Sequence, residues 1–214
     1  MCIRDRECSH SGKLKECSRK FSQCMGCNAG QAFCQLSMIK DVAIVNHAPV
    51  GCSGDFFGFN FTYRVEQVKR NLPPAIGRYF STCIEEKDTV FGAVKKLEDT
   101  VREAYKRVNP SAIFVTTSCA SGIIGEDIES VVELLSDELK IPVVSCSCEG
   151  FRSRIWTTGF DAAYHSVLRK IVKSPTKKTN KVNIPNFWGS HIFDDLLRRL
   201  GYEAQYIMPL SLIH

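Results

Sequence analysis

Residues 41–54 read D-V-A-I-V-N-H-A-P-V-G-C-S-G, and residues 112–125 read A-I-F-V-T-T-S-C-A-S-G-I-I-G. Each is a short apolar run that gives way to a loop of small residues holding one cysteine. Asp41–Asn46 and Ala112–Thr117 have the length and composition of buried strands. Ile141–Ser145 (I-P-V-V-S) is a third run of the same kind. Between them the pattern turns helical. Val90, Val94, Leu97, Val101 and Tyr105 form one stripe over about Lys87–Val108, with Lys95, Lys96, Glu98 and Asp99 off it. Asn109–Pro110 ends that stripe. Ser118–Asp127 is expected as a small-residue turn. Glu126 and Asp127 suit the first turn of a helix running to about Leu139, because carboxylates favour the positive end of a helix dipole. A further helix is expected at about Asp161–Val172. Strands alternating with helices mean an α/β fold, a Rossmann-like parallel sheet with flanking helices.

Outward from this core the chain changes character. Residues 1–22 are polar and without periodicity and are expected to be poorly ordered. Met1–Arg6 and Leu210–His214 look like translated adapter sequence, so residues 1–6 are expected to be non-native. Cys24–Met38 begins with small residues and becomes helical, with Cys27 at its Gly-rich start. Residues 23–172 form the first α/β domain of this reading. The stretch K-S-P-T-K-K-T-N-K at 173–181 is a linker by composition. Beyond it V-N-I-P-N-F-W is a strand, His191–Leu200 a helix and Tyr202–Met208 a strand. Residues 182–214 thus read as the truncated start of a second, similar domain, and the chain as a fragment.

The composition is that of an ordinary globular protein: 214 residues, 44% hydrophobic, 24% charged, net charge +5. That length allows one or two domains and a proper core. The small excess of Lys and Arg is spread along the chain, with no basic stripe among the aromatics of Phe56–Tyr63, so no nucleic-acid partner is expected. No apolar run of about 18 residues and no signal-type segment occurs, so no membrane is expected and the location is expected to be cytoplasmic. Neither G-x-x-x-x-G-K-[ST] nor G-x-G-x-x-G is present. If ATP is involved, another protein binds it.

Eleven cysteines without an export signal point to metal, iron–sulfur or redox chemistry rather than a disulfide framework. Cys52 and Cys119 each follow a strand, where open α/β sheets place their ligands. Cys27 lies at a helix start. Gly51, Ser53, Gly54, Ala120, Ser121 and Gly122 leave room for a bulky inorganic group and offer backbone N–H donors. Thiolates at strand ends are what an iron–sulfur cluster needs, and three of them suggest a cluster shared with another chain. Inert burial is the alternative for each, and is preferred for Cys34, Cys83, Cys146 and Cys148. Cys24 and Cys27 (C-M-G-C) can also be half a zinc site completed by Cys8, His10 or Cys17. His47 is read as a local hydrogen-bonding residue beside the Cys52 loop, and His165 and His191 as surface or helix-face histidines.

Four stretches, in order, carry a resemblance: H-A-P-V-G-C (His47–Cys52), E-K-D-T-V-F-G-A-V-K-K-L (Glu86–Leu97), S-C-A-S-G-I-I-G-E-D-I (Ser118–Ile128) and C-E-G-F-R (Cys148–Arg152). With them, about Cys24 to Pro209 resembles the nitrogenase component 1 family, and more its alpha-type chain. The resemblance implies that Cys52 and Cys119 hold a P-cluster-type iron–sulfur centre at a subunit interface, with Cys27 as third ligand and Cys24 in reserve. Gly51 and Arg152 fall among its cofactor-binding positions. It implies a heterotetramer with a homologous beta-type chain, and an ATP-hydrolysing iron protein as electron donor. Electrons pass through the cluster to a small-molecule substrate or a second metallocluster, whose ligands would lie outside this chain.

The resemblance also shows departures. The family's substrate-facing histidine falls on Phe160, a nearby glutamine on Trp156 and a cofactor-side arginine on Asn60, while Arg152 is retained. Phe160 can donate neither a hydrogen bond nor a proton. The expectation is therefore an oxidoreductase subunit of nitrogenase-like type acting on something other than dinitrogen. The alternatives are a non-catalytic cofactor-assembly scaffold of the same family and a zinc-stabilised binding module.

Overall fold

A computed structural model describes residues 27–39, 41–54, 65, 68, 71, 78–151, 158–172, 177, 179–185 and 193–207. Four parallel strands make one sheet: β1 (Val42–His47), β2 (Tyr79–Ser81), β3 (Ala112–Thr117) and β4 (Val143–Cys146), in the order β2-β1-β3-β4. The register pairs Val42 with Ala112 and His47 with Thr117, so β1 and β3 end side by side. Every residue of β1, β3 and β4 is buried, which is why these strands read as continuous apolar runs rather than alternating ones.

Helices cover both faces. Ala43, Val45, Ile113 and Val115 face α4 (Val94–Val108) and α6 (Ile128–Leu139), packing on Leu97, Val101, Val132 and Leu135. Ile44, Ala112, Phe114 and Val144 face α1 (Asn28–Leu36) and α7 (Thr158–Lys170), packing on Phe33, Leu36, Ala163 and Val167. Successive strand residues thus go to opposite faces, as the pleat requires. On the first face α4 and α6 are tied at the surface by Arg102, which donates to both oxygens of Glu138 at 2.8 and 2.9 Å. On the second, Gly159 of α7 crosses the start of α1 so closely that a β-carbon there would lie 2.2 Å from the Asn28 carbonyl oxygen. Only glycine fits that crossing.

The remaining elements are short. They are α2 (Val50–Gly54), α3 (Asp88–Phe91) and α5 (Cys119–Ile124). A second, two-stranded parallel pair joins β5 (Lys181–Pro185) and β6 (Glu203–Ile207), linked through α8 (Asp194–Arg199). Among the described residues no helix is long and apolar enough to cross a membrane.

Several expectations change. The single helix over Lys87–Val108 is two, α3 and α4, broken at Gly92 with φ +85°. The turn after β3 is helical from Cys119 onward, because Ser118 and Ser121 cap it reciprocally: Ser121 N donates to Ser118 Oγ and Ser118 N to Ser121 Oγ. The loop holding Cys52 is also one turn of helix. Strand β2 carried no sequence signal, being three residues long. The expected disorder of residues 1–22, the aromatics of Phe56–Tyr63 and the terminal stretch Leu210–His214 lie outside the described residues.

Candidate metal centre

The strand order creates the site. From β1 the chain goes to β2 on one side, and from β3 to β4 on the other. Loops leaving the carboxyl ends of β1 and β3 therefore head to opposite sides, and the switch between them is the point where open α/β sheets place a ligand crevice. Cys52 stands in α2, on the β1 side of that crevice. Cys119 is the first residue of α5, on the β3 side.

Each loop is pinned from within. Asn46, buried in β1, donates from Nδ2 to Ser53 Oγ at 2.9 Å, and its Oδ1 accepts from Thr116 Oγ1 at 3.1 Å. Ser53 Oγ donates in turn to Ser81 Oγ of β2 at 2.8 Å. On the other side Ser118 Oγ donates to the His47 carbonyl at 2.9 Å, tying the start of the Cys119 helix to the end of β1. The loop after β4 is held by Thr117, whose Oγ1 accepts from Cys148 N at 3.0 Å and donates to the Cys146 carbonyl at 3.3 Å.

That last loop brings two of the three expected ligands together. A β-carbon at Gly150 would lie 3.3 Å from Cys119 Sγ and 3.9 Å from Cys27 Sγ, so both sulfurs stand within 4 Å of one point. Cys27 arrives there as the N-cap of α1, with its thiol making no capping bond. Cys27, Cys52 and Cys119 are all exposed. Cys52 is not brought to that point; it stands in α2, after the neighbouring strand β1. Among the described residues no three His, Cys, Asp or Glu side chains close up into a metal site of their own. Gly51 faces open space. Arg152, Trp156, Asn60, His191 and the zinc candidates Cys8, His10, Cys17 and Cys24 lie outside the described residues.

The other cysteines separate by environment. Cys146 and Cys148 are buried, as expected. The Cys148 thiol is held well above its usual range, first by the neighbouring Cys146 sulfur and then by burial, so it stays protonated. Burial pushes the half-buried Cys34 up to about 11. Cys83, expected to be buried, is exposed. It sits just past β2 at φ +51°, where its N–H donates to Ser81 Oγ and its side chain turns outward. His165 is exposed on α7, and Phe160 is buried at the start of the same helix.

His47 is the most confined polar group of the site, with no exposed side-chain surface. Its Nε2 lies 3.0 Å from Glu126 Oε2 and its Nδ1 3.1 Å from Thr82 Oγ1. A carboxylate only accepts, so the ring proton is on Nε2, and Nδ1 accepts from the Thr82 hydroxyl. Thr82 Oγ1 also accepts from Ala48 N at 3.2 Å. Burial lowers the His47 pKa against the opposing pull of Glu126, which keeps the ring neutral. Glu126 does not serve the helix that follows it. Asp127 caps α6 instead, accepting from Ser130 N at 3.2 Å. The Oε1 of Glu126 reaches back to the start of α4, accepting from Val94 N at 2.9 Å and from Ala93 N. Helix α4 has no capping side chain of its own, so Glu126 supplies the cap from 33 residues away.

Thiols in this arrangement are of the chemistry that an iron–sulfur cluster takes as ligands. The candidate donors are exposed thiols, two of them lie close against Gly150 in the loop after β4, and the space beside Gly51 and Gly54 is open. The surrounding edge also exposes apolar side chains: Val50 after β1, Val90 and Phe91 after β2 (77% and 86% exposed), Ile123 after β3 (78%) and Phe151 after β4.

Comparison with known proteins agrees with this geometry. Residues 27–209 match the family model described as nitrogenase component 1 type oxidoreductase. The nitrogenase molybdenum-iron protein alpha chain of Clostridium pasteurianum is 33% identical over 174 residues, 78% of this chain and 32% of that one. The alpha chain of Rhodobacter capsulatus is 32% identical over 158 residues, 73% of this chain and 31% of its own length. A nitrogenase iron-molybdenum cofactor biosynthesis protein, NifE, of a Nostoc strain is 32% identical over 126 residues, 59% of this chain and 25% of its own. The solved structure of nitrogenase Cp1 at pH 6.5 superposes with a TM-score of 0.71 at 28% identity, covering 89% of this chain and 38% of that one. The chain thus spans about a third of the length of these relatives. Crevice, cysteine placement and similarity converge: the chain belongs to the nitrogenase component 1 type oxidoreductases.

Proposed function

We propose that this chain is part of a subunit of a nitrogenase-like oxidoreductase. It relays electrons from an ATP-hydrolysing iron protein, through an iron–sulfur cluster shared with a homologous partner chain, to a small substrate other than dinitrogen. The observation that carries the reading is the convergence of the Cys27 and Cys119 sulfurs over Gly150, at a crevice whose other wall bears Cys52. Cys27, Cys52 and Cys119 would hold the cluster as thiolates, and the partner chain would complete the ligand set. A bound cluster of this kind supplies reversible one-electron storage. The chain's own residues set the thiol positions through Ser118, Asn46 and Thr117, while Gly150 lets backbone pass close beneath. The exposed Val50, Val90, Phe91 and Ile123 suit an edge that partner proteins cover. Phe160 stands where the resemblance places a substrate-facing histidine and has no proton to give, which supports a substrate other than dinitrogen.

The measurement is iron, zinc and acid-labile sulfide per chain in the anaerobically purified full-length protein, co-expressed with its partner chain. Several irons with matching sulfide are expected, and their loss in a Cys52→Ala, Cys119→Ala double variant. Full iron in that variant, or zinc without sulfide, overturns the reading. The similarity to the cofactor biosynthesis protein favours a second reading, a scaffold that holds clusters without turnover. Such a protein would carry iron and sulfide yet accept no ATP-dependent electron flow from the iron protein into a substrate.

A further inference from the structure

The mechanism so far gives Glu126 no part, yet its carboxylate joins more of the site than any other described side chain. One oxygen accepts from the backbone N–H groups of Ala93, the N-cap of α4, and Val94, its first residue, just after the exposed Val90–Phe91 turn. The other accepts from His47, from which the chain runs on to Cys52. Glu126 itself lies just past α5, which begins at Cys119. Its side chain is 8% exposed. Gly92 carries φ +85°, and a β-carbon there would meet Glu126 Oε1 at 3.0 Å, so the turn is shaped around the carboxylate. Behind the ring, Thr82 closes the chain of bonds to Ala48.

We propose that Glu126 is a positioning residue: through His47 it sets the Cys52 loop, through its own backbone the Cys119 helix, and through the cap on α4 it locks both to the exposed turn at Val90–Phe91. The proposal rests on the cluster reading above. Two thiols on separate loops hold one rigid group more tightly when their spacing is fixed before it binds. The Ser118–His47 bond fixes the backbones where β1 and β3 end. Glu126 fixes the segments beyond, where the cysteines stand. Replacement of a partner that orients metal ligands in this way lowers affinity or activity by about 10- to 100-fold.

The test compares wild type with Glu126→Ala and Glu126→Gln in the full-length, partner-bound protein, with Glu138→Ala as a control at a surface ion pair. Glutamine keeps an acceptor for Ala93 and Val94, and its amide can donate to His47 once the ring moves its proton to Nδ1 and donates to Thr82. Two readouts are taken. The first is the electron paramagnetic resonance signal of the oxidised cluster, with electron flow at saturating iron protein. The second is the alkylation rate of Cys27, Cys52 and Cys119 in the metal-free chain, site by site, by mass spectrometry.

In Glu126→Ala the cluster signal is expected to shift and electron flow to fall about 10-fold. Cys52 and Cys119 should change alkylation rate together while Cys27 does not. Glu126→Gln should restore most of each, and Glu138→Ala should match wild type. Unchanged thiol rates in Glu126→Ala, or equal damage in Glu126→Gln, overturn the proposal. Should Glu126→Ala not fold, Thr82→Val, which removes both the donor to His47 Nδ1 and the acceptor for Ala48 N, must shift Cys52 reactivity, or the proposal falls. A wild-type chain that binds no iron, but whose Cys52 and Cys119 still respond together to Glu126→Ala, sinks the cluster reading and leaves the positioning role standing.

Discussion

One face of the sheet and its carboxyl end hold their cysteines by different physics. On the α1–α7 face, Cys27 is carried by a helix pressed onto α7 backbone to backbone at Gly159, with Phe33 and Leu36 sunk into the core. No side-chain capping bond ties the Cys27 thiol down. At the carboxyl ends of β1 and β3, Cys52 and Cys119 are held by directional bonds from Asn46, Ser118, His47 and Glu126. Packing is tolerant of direction but not of volume. Hydrogen bonds are the reverse. The site therefore has one donor placed by shape and two placed by bonding.

That contrast can be broken from either side. The largest effect belongs to Phe33→Ala, whose ring is buried against Tyr79 with centroids 4.6 Å apart. It should cost about 3–5 kcal/mol in denaturant unfolding and raise the alkylation rate of Cys27 alone. Equal gains at Cys52 and Cys119 would show that the two regions are not independent. Next comes Gly159→Ala, where α1 must move away from α7. A loss of about 1–3 kcal/mol is expected from such overpacking, again read at Cys27. Ser118→Ala removes a helix cap on the other side and should cost about 1 kcal/mol, with Cys119 rather than Cys27 becoming more reactive.

The smallest effect is a pH dependence confined to the bonded side. His47 is buried neutral, and burial lowers its pKa below the ordinary 6.5. As pH falls through that value the unfolded chain takes up a proton that the folded chain refuses. The unfolded state then binds more protons, so stability declines with falling pH until the lowered folded pKa is passed. His47→Gln should flatten that part of the stability profile while leaving the Phe33 effect unchanged.

What the sequence revealed follows the same division. Strands β1 and β3 were legible because burial on both faces leaves an unbroken apolar run, and Cys52 and Cys119 were legible because they stand directly after those runs. The break between α3 and α4 was not, since Val90 continues the stripe of α4 in register. Gly92 gives way for the Glu126 carboxylate, which arrives from 33 residues beyond Ala93. Glu126 read as a local dipole partner because its true bonds are all tertiary. Gly150 and Gly159 gave no sign, for a close approach belongs to two segments and is written in neither. The general habit of free cysteines predicts burial for Cys83, which is exposed. Its left-handed backbone, which turns the thiol out, is set by a bond to Ser81.

Gly150 also sets an order of events during synthesis. It follows the last strand of the sheet, and the sulfurs of Cys27 and Cys119 share a seat only once it is in place. A nascent chain shows Cys27, Cys52 and then Cys119 to the cell as separate thiols long before that seat exists. Parallel pairing of β1 with β3 and of β3 with β4 closes long loops and is slow to form. A group held jointly by Cys27 and Cys119 would therefore be loaded only after residue 150 has been made.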